Sequence, residues 1–246
     1  MLVKQTNIEL AKLLLEYGAD ANKTYNTQTP LFLACKTNNI ELAKLLLEKG
    51  ADVNCRLSEG GTYLHEACKD RYVEMVELLI EKDADLNIKE GKNGRVPLHE
   101  VCAVDKFKDE NISMLRLLIQ KGADVNCLTY CGRTPLILAS SSGCIDAVRL
   151  LVENGADINK TECDGETPLY CAVDNDHIEI VKFLTQNGAE VNVIFYENES
   201  DDEDDEIEED NRIPVTPLSK AVKENHTGIS RQRFKIVVEC VSNFQQ

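Results

Sequence analysis

A short motif recurs in this chain about every 33 residues, and that period constrains the fold more than any other feature. The motif is Gly-Ala-Asp-x-Asn or a near variant, and its copies end at Asn22, Asn54, Asn87, Asn126, Asn159 and Asn192. Between the copies, and once more after the last, stands Thr-Pro-Leu or a variant, beginning at Thr29, Thr62, Val96, Thr134, Thr167 and Thr216. Self-similarity at such a period indicates stacked structural repeats rather than one globular core.

Each period contains the start and stop signals of two helices. A threonine such as Thr29 can cap a helix, and the proline that follows suits the first turn because it lacks an N–H group. A second helix is predicted from apolar residues at helical spacing between Ile40 and Leu47, closed by Gly50 as a left-handed cap. The Asp and Asn after that glycine favour a turn, since their side chains can bond to nearby backbone. The unit is therefore helix, turn, helix and extended finger.

These motifs resemble those of ankyrin repeats. The resemblance implies an all-α solenoid of stacked helix-turn-helix units with finger loops. In this register residues 1–194 form a partial first repeat (1–25) and five further repeats, and residues 213–246 form a divergent C-terminal repeat. Residues 195–212 form an acidic insertion in the finger between them. The partial first repeat is expected to leave apolar surface uncovered, as in a fragment of a longer ankyrin protein or in a subunit covered by another.

Three positions depart from the repeat pattern and predict a weaker middle of the stack. Asp83 replaces the capping glycine, and a left-handed residue other than glycine costs roughly 1 kcal/mol. Tyr63 replaces the proline of the helix start, and Val96 replaces its threonine. Extra residues around 104–111 further predict a longer turn between two helices.

The ten cysteines and four histidines are predicted to serve structure rather than catalysis. Four cysteines fall at the inner face of first helices: Cys35, Cys68, Cys102 and Cys171. Four fall in fingers, and only Cys127-x-x-x-Cys131 with Cys163 one repeat later is arranged like a metal site, without a histidine. His65 and His99 take the fourth place of the Thr-Pro-Leu-His string, which in ankyrin repeats is a hydrogen-bonding position. Because the pattern supplies no nucleophile–base pair and no phosphate-binding loop, we predict a non-enzymatic protein without cofactor, metal or small molecule.

Acidic charge is concentrated in the insertion. Eleven of the fourteen residues 197–210 are Asp or Glu, in a chain whose formal net charge is −16. Such a block repels itself and cannot bury apolar surface, so we expect a disordered, extended loop. It is either a solvated spacer or an electrostatic element that attracts a basic partner or covers the binding groove. Ser200, which precedes Asp201 and Asp202, is a candidate phosphorylation site for an acid-directed kinase.

The overall charge balance bears on the class of partner. With 27 basic against 43 acidic residues, the chain is a poor ligand for nucleic acid or for an anionic membrane. The sequence has no recognisable signal peptide and no apolar stretch of about 18 residues. We therefore expect a cytoplasmic protein, with the nucleus left open, that is not secreted and recognises another protein.

In ankyrin repeats the recognition residues lie in the fingers and at the exposed ends of the first helices. Carried over by register, this implies candidate partner-binding residues at Tyr25, Asn26, Gln28, Lys36, Lys69, Arg95, Tyr130, Arg133, Ser141, Asp164, Glu166 and Asp174. Tyrosine and arginine are favoured interface anchors, although finger residues are also exposed for simple solvation.

The predicted function is a non-catalytic interaction module or scaffold for a protein partner. One alternative is a cytosolic inhibitor resembling the NF-kappa-B inhibitors, although those proteins carry their acidic segment after the stack. Another is that the chain is a substrate of an asparaginyl hydroxylase at Asn54, Asn126 and Asn159, each with a leucine eight residues earlier. Against this, each asparagine already has a role in its turn.

Overall fold

The computed structural model describes residues 2–25, 28–103, 109–198 and 212–225. Its helices are α1 (Leu2–Glu16), α2 (Pro30–Lys36), α3 (Ile40–Glu48), α4 (Tyr63–Lys69), α5 (Val73–Glu81), α6 (Pro97–Cys102), α7 (Asp109–Gln120), α8 (Pro135–Ser141), α9 (Ile145–Glu153), α10 (Pro168–Asp174), α11 (Ile178–Gln186) and α12 (Pro217–Asn225). Two strands, β1 (Phe195–Asn198) and β2 (Arg212–Val215), lie between α11 and α12 in sequence. The chain divides into unit 1, residues 1–101 and 108–124, and unit 2, residues 102–107 and 125–246.

Within each unit the helices pack as the repeat predicts. In unit 1, α2 packs against α3 and α4 against α5, while α2 contacts α4 and α3 contacts α5 in the next repeat. Helix α1 packs on α3, and α7 packs on α5. In unit 2, α8 packs against α9 and α10 against α11, and α10 contacts both α8 and α12. Both units are stacks of helix pairs, which confirms the predicted all-α repeat fold.

The Thr-Pro pairs begin helices in the way the sequence predicts. The backbone N–H of Phe32 donates to Thr29 Oγ1 at 3.1 Å, and the threonine backbone is extended while Pro30 opens α2. In unit 2 the equivalent bonds run from Ile137 N to Thr134 Oγ1 at 3.2 Å and from Tyr170 N to Thr167 Oγ1 at 3.1 Å. Each threonine thereby satisfies one N–H group that the helix itself leaves unpaired.

The two departures from Thr-Pro are compensated by other hydrogen bonds. At the start of α4, the backbone N–H of Thr62 donates to His65 Nδ1 at 3.0 Å. At the start of α6, where valine replaces threonine, Val96 N donates to His99 Nδ1 at 3.1 Å. Both histidines are buried, which confirms that they serve the helix starts. The buried Tyr63, which replaces proline, shares a hydrogen bond with Thr29 Oγ1 at 2.7 Å.

Left-handed backbone occurs at the predicted helix end and at one class of turn that the sequence analysis missed. Asp83, which replaces the capping glycine, has φ 63°, where Gly50 has φ 86°. Asn38, Arg71 and Asp176, in the turns between the two helices of a repeat, have φ 49°, 62° and 61°. Any residue other than glycine is strained in this region, arginine more than aspartate or asparagine, so Arg71 is the costlier position and Asp83 the milder one.

The core is apolar and includes the cysteines predicted to pack there. Cys35, Cys68, Cys102 and Cys171 are all buried. Burial raises the pKa of the Cys35 thiol to about 12 and also raises the pKa of the other three thiols, so all four stay protonated at neutral pH. These residues act as small apolar side chains.

Helix α1 presents an uncovered apolar stripe, in agreement with the sequence expectation. The stripe consists of the exposed residues Leu10, Leu13, Leu14 and Tyr17. The spacing of three or four residues places Leu10 on the same side of the helix as Leu13 and Leu14, and Tyr17 follows directly after the last helical residue.

A two-stranded ladder flanks the acidic insertion and was not predicted. Strands β1 and β2 pair antiparallel, with Phe195 opposite Val215 and Asn198 opposite Arg212. Residues 195–212 were predicted to form a disordered loop, whereas both ends of that range belong to a hairpin. Residues 199–211, with Ser200 and most of the acidic block, lie outside the described residues, and their disorder stays a prediction. Helix α12 then begins at Pro217 as the repeat predicts.

Candidate protein-binding surface

A groove in unit 1 lies between the fingers and the first helices α2, α4 and α6. Its volume is about 390 Å³, and its lining includes two apolar side chains, Phe32 and Leu57. The charged side chains that line it are Lys36, Lys69, Glu59, Glu66, Glu90 and Glu100. Four carboxylates against two ammonium groups give the groove an acidic balance.

Three predicted recognition residues line this groove: Gln28, Lys36 and Lys69. All three are exposed. The Lys36 ammonium lies 5.6 Å from the centre of the Phe32 ring, within the range of a cation–π contact. The structure therefore brings residues from one finger and two helices to the same cavity.

Arg95, in the third finger, does not line the groove but contacts one of its lining carboxylates. Its Nη1 lies 3.6 Å from Glu100 Oε2, and the Glu100 side chain is 12% exposed. Burial raises the pKa of Glu100, and the charge of Arg95 opposes that shift. Arg95 thus stabilises a carboxylate of the groove wall.

Tyr25 stands at the tip of the first finger and is 80% exposed. Its backbone exchanges two hydrogen bonds with Gln28, Tyr25 N to Gln28 O at 2.9 Å and Gln28 N to Tyr25 O at 3.0 Å. Those bonds pair the backbones of Tyr25 and Gln28 across the finger. Asn26, the third candidate in this finger, lies outside the described residues.

The fingers of unit 2 hold an ion-pair cluster that joins two predicted residues. Arg133 binds Glu162 through two contacts, from Nε to Oε2 and from Nη2 to Oε1, the second at 3.3 Å. Arg133 Nη2 also lies 3.9 Å from Glu166 Oε2. Glu162 was not among the predicted residues, and its side chain is only 2% exposed. The guanidinium of Arg133 and the carboxylate of Glu166 are therefore already engaged in contacts between neighbouring fingers.

Glu166 in this cluster holds its proton to a higher pH than an isolated glutamate. Burial, followed by the hydrogen bond and the charge of Glu162, raises the pKa of Glu166 to about 7, although Arg133 opposes the shift. The hydrogen bond to Glu162 raises the pKa of Arg133 in turn. Arg133 lies 3.9 Å from Glu166 and closer to Glu162, so its charge offsets only part of the effect of burial on Glu166.

The remaining candidates of unit 2 differ in their surroundings. Ser141 accepts a hydrogen bond from Asn175 Nδ2 at 3.4 Å, and Asp174 Oδ1 lies 2.9 Å from Lys220 Nζ. Tyr130 is 59% exposed at its finger tip, and Asp164 is also exposed. Ser141 and Asp174 thus take part in contacts within the unit, while Tyr130 and Asp164 present surface.

The finger asparagines join neighbouring repeats, which goes beyond the turn role predicted for them. Asn54 Nδ2 donates to Asp83 O at 3.2 Å, and Asp85 N donates to Asn54 Oδ1 at 2.8 Å. The turn itself is closed by Asp52, whose Oδ1 accepts from Asn54 N at 2.9 Å. Asn126 and Asn159 make the equivalent pair of bonds to the following finger.

The finger cysteines differ in exposure. Cys131 and Cys163 are exposed, and Cys127 is half-buried. Within the described ranges no three His, Cys, Asp or Glu side chains converge as a metal-binding group.

Comparison with protein families decides the assignment. The family model for ankyrin repeats matches residues 1–90 and 98–194 in three copies. The chain belongs to the ankyrin-repeat family. Ankyrin repeats are generally protein–protein interaction modules and are typically non-catalytic.

Comparison with individual curated proteins gives no match. Of the ankyrin helices that the structure describes, none has the length together with the apolar character needed to cross a membrane.

Proposed function

We propose that this ankyrin-repeat protein binds a protein partner through its finger loops and the exposed surface of its first helices. The observation that carries the proposal is the groove of unit 1, a cavity of about 390 Å³ between those two elements. Phe32 and Leu57 supply apolar area that a partner can cover, and the surrounding charged side chains supply orientation.

The charge of the groove indicates the kind of partner. Four lining carboxylates outnumber two lysines, and the chain as a whole has a net charge of −16. A partner segment with Lys or Arg side chains complements this surface, and opposite charges speed association. The acidic segment 197–210 supports the same choice, since exposed charges of one sign attract a basic partner over about 8–10 Å.

A photoreactive side chain placed in the groove tests the binding surface. Ser58 is exposed and lines the groove, whereas Lys44 is exposed on α3, outside it. We expect a photoreactive residue at position 58 to cross-link a partner in cells, and the same residue at position 44 to give no such product. Equal cross-linking from both positions, or a product from position 44 alone, would place the interface elsewhere.

A matched pair of charge reversals then tests the chemistry with the partner so captured. Glu66→Lys reverses a groove carboxylate, and Glu74→Lys reverses an exposed carboxylate on α5. The first is expected to weaken binding about tenfold or more, and the second to change it about twofold or less. Similar losses for the two variants would show that net charge, and not the groove, governs binding.

The narrower alternatives have less support. In an inhibitor resembling the NF-kappa-B inhibitors the acidic segment follows the stack, whereas here it lies between β1 and β2, ahead of α12. For hydroxylation, Asn54 already uses its amide oxygen and nitrogen between two fingers. A scaffold role fits these contacts because they fix the fingers as a rigid surface.

A further inference from the structure

Two exposed cysteines lie on neighbouring finger tips of unit 2. Cys131 belongs to the turn in which Thr129 N bonds to Arg133 O, and Cys163 belongs to the next finger. The backbone N–H of Cys163 donates to Cys131 O at 2.9 Å, so the two tips are in direct contact. Both side chains are exposed.

Backbone geometry bounds the distance between these two residues. With a 2.9 Å bond between N of Cys163 and O of Cys131, standard bond lengths keep the two α-carbons within about 6.8 Å. That is inside the range of about 4.4–6.8 Å that disulfides span. Cys163 Sγ also lies 4.0 Å from Tyr130 O, so its side chain is turned toward the finger that carries Cys131.

Neither packing nor finger contact accounts for cysteine at these positions. The packing cysteines of the core are buried, whereas Cys131 and Cys163 are exposed. The same backbone contact occurs in unit 1, where Gly91 N donates to Glu59 O at 3.1 Å without any cysteine. The finger contact therefore does not need a thiol on either side.

We propose that Cys131 and Cys163 form a reversible disulfide when the protein meets hydrogen peroxide. One thiolate attacks the peroxide O–O bond, which breaks to give a sulfenic acid and, after protonation, one water. The second thiol attacks the sulfenic sulfur, the S–S bond forms, and the hydroxyl group leaves with a proton as a second water. Two thiols lose two electrons and two protons, and the peroxide is reduced to two waters.

The disulfide ties the finger tips beside Tyr130 and Arg133. It adds a covalent link between the side chains to the backbone hydrogen bond between the tips, and this link restricts the opening of the two fingers. This site stands independently of the proposed partner surface, since its formation needs no partner.

Peptide mapping of the oxidised full chain tests the proposal. The protein is treated with hydrogen peroxide in slight excess, the remaining thiols are alkylated, and the non-reduced digest is analysed by mass spectrometry. We expect a cross-linked peptide joining Cys131 to Cys163 in the monomer, reversed by dithiothreitol, with Cys127 and Cys55 still alkylated. Exchange of the backbone amides of residues 129–133 with deuterium is expected to slow severalfold in the oxidised protein.

Single substitutions provide the controls. Cys131→Ser and Cys163→Ser should each abolish the cross-link, and Cys127→Ser should leave it intact. Cross-linked dimers, pairing of Cys131 with Cys127, or sulfinic and sulfonic acids without any Cys131–Cys163 peptide would each overturn the proposal. An unchanged exchange rate in the cross-linked protein would overturn the restriction of the fingers.

Discussion

The hydroxyl groups of Tyr63 and Thr29 lie 2.7 Å apart in a buried contact that joins the starts of α4 and α2. Thr29 is the N-cap of α2, and Tyr63 occupies the position at the start of α4 that proline takes in the other repeats. A residue that departs from the helix-start motif thus makes a bond between repeats. Burial raises the pKa of Tyr63, so the phenol stays protonated and available for this bond.

Removing that hydroxyl should destabilise unit 1. Tyr63→Phe keeps the buried ring and deletes the hydrogen bond, at an expected cost of about 1–2 kcal/mol in the free energy of unfolding. Denaturant titration measures the loss. Tyr17→Phe, at a tyrosine that is 85% exposed, is the matched control and should change stability little. Equal effects of the two substitutions would show that the bond between the repeats contributes nothing.

The stability of unit 1 should fall in mild acid because of His65. Since Thr62 N donates to Nδ1, the ring proton lies on Nε2, which donates to Arg95 O at 3.1 Å. Burial lowers the pKa of His65 below its usual value. The unfolded chain therefore binds the proton first, and stability is full above about pH 6.5 and is lost as pH falls below it.

Unfolding free energies between pH 7.5 and 5 check this dependence. His65→Gln removes the titrating group and should flatten the slope below about pH 6.5, whatever its effect at neutral pH. If wild type and variant lose stability in parallel, another group is responsible.

Glu166 should give unit 2 the opposite dependence on pH, with a stability that falls as pH rises. Its pKa of about 7 lies above the value of about 4.3 for an unfolded glutamate, so the folded chain binds more protons in that interval. The stability that Glu166 contributes is present below about pH 4.3 and is lost as pH rises through about 7. Glu166→Gln should remove this loss and stabilise unit 2 at pH 8. A lower stability of the variant at pH 8, measured by denaturant titration, would mean that the charged pair with Arg133 dominates.

Relieving the left-handed aspartate should stabilise the middle of the chain. Asp83 has φ 63°, and Asp83→Gly is expected to raise the free energy of unfolding by up to about 1 kcal/mol. The carbonyl of Asp83 that accepts from Asn54 is retained, because it belongs to the backbone. Asp85→Gly, in the same finger, is the contrasting variant and should not stabilise. A destabilising Asp83→Gly would show that the carboxylate itself has a structural role.

Shortening the acidic finger should change association but not folding. Asn198 and Arg212 face each other across the ladder, so replacing residues 199–211 by Asn-Gly gives a two-residue hairpin turn. The free energy of unfolding should change by less than about 1 kcal/mol, since the entropy of loop closure depends weakly on loop length. Binding to a basic partner should become slower and less salt-dependent.

A variant of full length with Asn and Gln in place of the carboxylates of the finger separates charge from length. It should reproduce the slower association of the shortened chain. Tighter binding after shortening would instead indicate that the acidic segment covers the groove, and unchanged rates in both variants would leave it as a spacer.

The local features of this fold could be read from the sequence, and the contacts between repeats could not. Thr-Pro and the capping glycine fix helix ends through bonds within a few residues, so the motif alone predicts them. Arg133 and Glu162 meet because two fingers are stacked, and no local pattern states which side chains then face each other. The positive φ of Arg71 has a local origin, since Arg71 N bonds to Cys68 O and Tyr72 N to Ala67 O at the end of α4, but an arginine gives no sign of a left-handed turn in the sequence. The β1–β2 ladder likewise depends on bringing together segments on either side of a long insertion.

The asparagine bonds between fingers make the repeats within a unit energetically dependent on their neighbours. If the repeat that holds Asn54 detaches, the carbonyl of Asp83 and the N–H of Asp85 lose their partner at the same moment. Opening a repeat inside a unit therefore breaks the contacts with the neighbours on both sides, whereas opening a repeat at an end breaks the contacts with one neighbour. Unfolding should accordingly proceed as a front that advances from the ends, with interior repeats the last to become accessible to a protease.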